Sequence, residues 1–108
     1  MIINNTIMIL IKAEVYFFKH GEKCVNKIFN KYRPAFRFGQ NEVLYSGSIQ
    51  LIDEEEFFFC GIQKKVNILF INNEYILNLI KENNTFGIYN PSVKVGEGQV
   101  LEIIVLDD

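Results

Sequence analysis

The chain has 108 residues, 49% hydrophobic and 22% charged, which suits one globular domain with its own core and excludes a disordered or collagen-like chain. Ten Phe and five Tyr without a Trp favour a β-rich interior, because aromatic rings pack well on pleated surfaces. A formal net charge of −2 excludes a uniformly basic nucleic-acid binder.

The first element is a strand over residues 7–17. Ile7, Ile9, Ile11, Ala13, Val15 and Phe17 fall on one face, with Lys12, Glu14 and Tyr16 on the other. Both faces are apolar from Ile7 to Leu10, which predicts either coverage by the barrel or pairing with another chain, as a homodimer through this strand or as partner docking. The run Ile2–Ile11 lacks a basic leader and a small-residue cleavage site, so it reads as a strand rather than a signal peptide. It is also far shorter than the ~20 apolar residues that span a bilayer. A cytoplasmic, non-membrane protein is therefore expected.

Lys19-His20-Gly21-Glu22 reads as a turn, and Lys23–Lys31 as a polar loop without periodicity. A strand over 33–38 begins at Pro34, which has no N–H to give to a ladder. Gly39-Gln40-Asn41 marks a turn. A strand over 43–52 carries Gly47 in its middle, a bend point of the kind that closes small barrels. Asp53-Glu54-Glu55-Glu56 reads as a solvated hairpin end. Further strands follow at 57–61 and 65–71. Between Asn72 and Asn84, Tyr75, Ile76, Leu79 and Ile80 suit one or two helical turns near 74–82, or a strand with Asn-rich ends. The strand over 85–89, the Asn90-Pro91-Ser92 turn and a strand over 93–106, with bend points at Gly96 and Gly98, complete the pattern. Short strands between turn signals predict an all-β barrel or sandwich in a single domain over 1–108.

Charge is unevenly spread. Residues 19–37 hold six bases (Lys19, Lys23, Lys27, Lys31, Arg33, Arg37) and one acid, Glu22, for +5. The remainder holds five Lys and twelve acids, for −7. The basic stretch predicts a surface for RNA or an acidic partner, with Phe29 and Tyr32 as stacking rings. Alternatively it is a solvated loop, and Arg33 is a phosphate ligand or a structural arginine that opens its strand.

Cys24 and Cys60 form no CxxC, and with one His there is no zinc set. Both cysteines are expected to be reduced, although sequence leaves a Cys24–Cys60 disulfide open. His20 has no nucleophile at useful spacing, Ser46-Gly47-Ser48 lacks the GxSxG frame, and no carboxylate pair is placed for acid/base work. No enzyme, metal, cofactor or small-molecule substrate is expected.

Three motifs occur in order: Ala13-Glu14-Val15-Tyr16, then Tyr32-Arg33-Pro34-Ala35-Phe36-Arg37-Phe38, then Phe86-Gly87-Ile88 with Val95-Gly96-Glu97-Gly98-Gln99-Val100. Together they resemble the third, C-terminal β-barrel domain of elongation factor Tu, from Lys12 to about Ile104. The resemblance implies a closed six-stranded antiparallel Greek-key-type barrel. It also implies a non-catalytic module that engages structured, tRNA-like RNA or a protein. No Gly-rich loop ending in Lys-Ser or Lys-Thr occurs, so the expectation is the barrel without its GTPase domain. Where the family carries an Arg-His pair this chain has Cys24-Val25. In its late turn only Lys94 supplies positive charge. The expected binding residues are Lys19, Lys23, Lys27, Lys31, Tyr32, Arg33, Arg37 and Lys94. A second expectation, of a different class, is a small immunity-type inhibitor that uses its acidic surface.

Overall fold

A computed structural model describes residues 7–19, 27–71, 75–82 and 84–107. In chain order the elements are β1 (Ile7–Phe17), β2 (Lys27–Phe29), β3 (Ala35–Phe38), β4 (Tyr45–Ser46) and β5 (Ser48–Gln50). They continue with β6 (Phe57–Phe59), β7 (Gln63–Ile71), α1 (Tyr75–Glu82), β8 (Thr85–Tyr89) and β9 (Lys94–Asp107). Among the described residues no helix is long and apolar enough to cross a membrane.

The protein is all-β with one short helix. Its main sheet is a nearly closed antiparallel barrel, ordered β4-β3-β8-β9-β1-β7-β5, and β2 and β6 form a separate ribbon. Closure depends on one path that serves both ends of the sheet. The Lys31 N–H donates to the Ile49 carbonyl (2.7 Å), Ile49 N–H to Tyr32 (2.8 Å) and Gly47 N–H to Pro34 (3.3 Å). The ladder then continues through Ala35↔Ser46 and Phe36↔Tyr45. On its other flank the same path pairs Ser48↔Leu69, Ile49↔Ile68 and Gln50↔Asn67. Thus β4 and β5 are two halves of one strand bent at Gly47, and with them joined six strands surround the core. A Cβ at Gly47 would stand 2.7 Å from Phe70 Cε1 and 3.0 Å from Phe36 Cε2, so only glycine fits this corner. The order β8-β3-β4/β5-β7 is a Greek key, with the fourth strand returning beside the first.

The interior follows the period-two pattern. Ile9, Ile11, Ala13, Val15 and Phe17 are each at most 1% exposed. Phe36, Phe38, Phe70 and Phe86 meet edge-on or tilted at centroid distances from 5.4 Å (Phe36–Phe70) to 5.9 Å (Phe38–Phe70), an arrangement favoured by the ring quadrupoles. Ile76 and Ile80, one turn apart on α1, join this core. A Cβ on Gly98 would stand 2.5 Å from Phe86 Cζ and 2.9 Å from the Glu14 carbonyl oxygen. The late glycines therefore make room for a ring and a neighbouring strand. One register shift of β9 falls beside Gly96, where Ile88↔Gly96 gives way to Tyr89↔Lys94, and the other opposite Lys12/Ala13, away from both glycines.

Several expectations need correction. Lys27–Phe29, expected within a loop, is a strand paired with Phe57–Phe59. The strand expected over 43–52 is confined to Tyr45–Ser46 and Ser48–Gln50. Asn41 Oδ1 accepts the Val43 N–H at 2.9 Å, and this local turn holds residues 41–43 off the ladder. The 72–84 ambiguity resolves as a helix at Tyr75–Glu82, and residues 72–74 and Asn83 lie outside the described residues. β1 is paired on both flanks, with β7 and β9. Cys60 is buried and Cys24 lies outside the described residues.

Candidate partner-binding face

The β2–β6 ribbon stands beside the end of the barrel where β1 stops. Its register is Lys27↔Phe59, Ile28↔Phe58 and Phe29↔Phe57. Alternation sends Ile28 (1% exposed) and Phe58 (4%) inward, where the Phe58 ring meets Phe17 at 5.9 Å. The same alternation sends Lys27, Phe29, Phe57 and Phe59 outward. Phe29 is 57% and Phe59 55% exposed. The rings touch, Phe29–Phe57 at 5.9 Å and Phe57–Phe59 at 5.3 Å. The Lys27 ammonium lies 4.6 Å from the Phe57 centroid and 5.8 Å from that of Phe59, within cation–π range. The ribbon is anchored by Asn30, whose N–H donates to the Glu56 carbonyl and whose Oδ1 accepts the Leu51 N–H, both at 2.9 Å.

The predicted binding residues divide around this face. Gly61 N–H donates to the Phe17 carbonyl, and the stem of exposed Lys19 lies against Gly61, two residues beyond the end of β6. Lys31 (φ 71°) and Arg33 are exposed on the segment that leads from β2 into β3. Lys94 opens β9 at the same end and pairs with Glu97 at 3.6 Å. Arg37 is placed apart, its Nε donating to the Asn41 carbonyl at 2.8 Å in the turn at the other end of β3. Lys23, like His20, lies outside the described residues.

Tyr32 belongs to the core side. Its ring packs on Phe17 at 6.2 Å, and among the described residues its buried hydroxyl has no hydrogen-bond partner, so the side chain is directed to the core rather than to the basic rim. Burial, and secondly the Cys60 thiol, push its phenol above the usual range.

The acidic turn continues directly into β6. The Glu55 N–H reaches the Ile52 carbonyl at 3.4 Å, and both central residues are left-handed (Asp53 φ 59°, Glu54 φ 60°), which makes a type I′ turn without glycine. Glu55 is held by Lys64 at 2.7 Å. The aromatic face is thus bordered by charges of both signs. Elsewhere a polar cleft of about 460 Å³ on the barrel wall gathers Glu14, Gln63, Thr85, Lys94, Glu97 and Gln99. Among the described residues no three His, Cys, Asp or Glu side chains are grouped to hold a metal.

Sequence reasoning found Lys27 and Phe29 but missed Phe57 and Phe59 as surface residues. The missed signal was the parity of Phe57-Phe58-Phe59, a strand that shows two of three rings to water. No family model matches the chain, and no curated protein matches it.

Proposed function

We propose that this protein is a non-catalytic binding module that grips a protein partner through the outward face of its β2–β6 ribbon. The observation that carries this reading is a row of three touching Phe rings, the outer two exposed and Phe57 part-buried between them, with the Lys27 ammonium over Phe57 and Phe59. Exposed aromatic clusters with a mixed-charge rim are the usual energetic centre of a protein–protein contact. Lys19, Lys31 and Arg33 supply the basic part of the rim and Asp53–Glu56 the acidic part. That balance favours a protein over a polyphosphate, which would meet four carboxylates beside the rings. The three motifs that resemble the elongation factor Tu barrel support the same class of activity, recognition without chemistry.

A second reading is structured RNA, favoured by Phe29 standing half-exposed beside Lys27 as a ready stacking pair. A pull-down with immobilised protein, scored for both protein and RNA, separates the two. Phe29→Ser with Phe59→Ser should lose a protein partner by tenfold or more, since central aromatic anchors cost about 2 kcal/mol each on truncation. Lys31→Glu with Arg33→Glu, both on the basic rim beside the rings, should abolish RNA retention and change protein binding less. Retention of the same protein partner by the double-Ser variant refutes the proposed face. Strong retention of RNA by the wild type, lost in the Glu pair, moves the assignment to the second reading.

A further inference from the structure

The long strand β9 has one flank that the barrel does not use. It pairs with β8 only as far as Thr85↔Gln99, and the Val100 N–H then reaches the Asn84 carbonyl at 2.7 Å. From Glu102 to Asp107 it is paired with β1 on one side. Among the described residues no backbone group bonds its other side. Leu101 is the extra residue of the bulge between Lys12↔Glu102 and Ala13↔Val100, where β9 leaves β8.

This free edge is apolar on both faces. Outward, Ile104 and Leu106 stand beside Leu10 and Met8 of β1, and these beside Leu69 and Ile71 of β7. The six side chains form a panel two rows deep without a charge, bordered by the Lys12–Asn67–Glu102 row. Leu101 (52%), Val105 (50%), Leu106 (41%) and Ile71 (46%) are the most exposed. Natural edge strands are blunted by Lys, Pro or inward charges, whereas residues 101–106 carry only Glu102.

We propose that this edge is an interface for a second copy of the chain, with β9 pairing antiparallel to β9 of that copy across a two-fold axis. Centred on Ile104, the pairing sets Glu102 opposite Leu106 and Ile103 opposite Val105, so no like charges meet. Parity keeps the apolar panels of both copies on one side of the joined sheet. A net charge of only −2 per copy opposes association little. Two-fold pairing consumes both edges, and the rest of the main sheet is wound into the barrel, so assembly stops at two. The panel and edge offer fewer residues than the roughly 20–30 a side of a standard interface, so the dimer is a reversible, micromolar one.

Sedimentation velocity from about 1 µM to about 500 µM tests this. The wild-type mass should rise from one copy to two. Val105→Lys and Leu106→Lys, both at exposed positions, should remain monomeric or dimerise at least tenfold more weakly, with unchanged circular dichroism. Backbone amides of residues 101–106 should gain hydrogen-exchange protection with concentration, a readout independent of any variant. A wild type that stays monomeric overturns the proposal, as does a dimer indifferent to both lysines. Phe29→Ser should leave dimerisation intact. If it abolishes the dimer, the ribbon is the interface and the β9 assignment fails.

Discussion

Removing one oxygen atom should make this protein more stable. The Tyr32 hydroxyl is buried with no hydrogen-bond partner among the described residues, while its ring packs against Phe17. A buried, unsatisfied polar group costs roughly 1–3 kcal/mol relative to water. Tyr32→Phe removes that cost and keeps the ring contacts, losing only the small packing contribution of the oxygen. A gain of about 1 kcal/mol is expected, which raises Tm by about 4–8 °C in a domain near this size. Urea unfolding and calorimetry at neutral pH measure it. The pH dependence gives a second readout. Because the folded phenol ionises above its unfolded value of about 10, the neutral form is favoured by folding. The wild type keeps that contribution below pH ~10 and loses it as pH rises toward the folded value, so the advantage of Tyr32→Phe should widen in that window. A variant destabilised by 1 kcal/mol or more would refute the reasoning, since it would mean that the hydroxyl makes a favourable bond.

Gly98→Ala should destabilise by about 1–3 kcal/mol, because the new methyl group meets the Phe86 ring and the β1 backbone; thermal unfolding reads it. Asp53→Asn with Glu54→Gly should stabilise by about 1 kcal/mol in urea titrations, because Asn-Gly takes the left-handed pair of this turn at lower cost. Lys64→Ala should cost less than about 1 kcal/mol, and the loss should shrink in high salt, because its bridge to Glu55 is partly exposed.

The barrel was legible because its strands alternate cleanly. β1, β3 and β8 bury every second residue, and Gly47 stands where the path turns from one partner strand to the other. The ribbon was hidden for a physical reason. Lys27–Phe29 has three residues, too few for a period to emerge from a polar stretch, and its partner lies near residue 58. Pairing across such a separation is set by the tertiary fold, not by local propensity. The same limit misplaced Tyr32. Its neighbours Lys31 and Arg33 made it look like part of a basic surface, but the ladder from residue 31 to residue 36 turns its ring onto Phe17. Arg37 was grouped with the basic stretch by sequence proximity, although its hydrogen bond to Asn41 ties it to the far turn. Charge counted along a strand does not report which end of a barrel it reaches.

The order of neighbours also bears on synthesis, because the two partners of β1 leave the ribosome at different times. β1 sits between β7 and β9, so its two flanks are completed by segments separated from it by very different lengths of chain. During synthesis β7 emerges before β9 and can zip onto β1, whereas the second flank waits for β9. Until then both β1 and β8 lack a shared neighbour, and a nascent chain exposes a doubly apolar hairpin-like pair. A ribosome that pauses before β9 would therefore leave the chain at its greatest need of a chaperone.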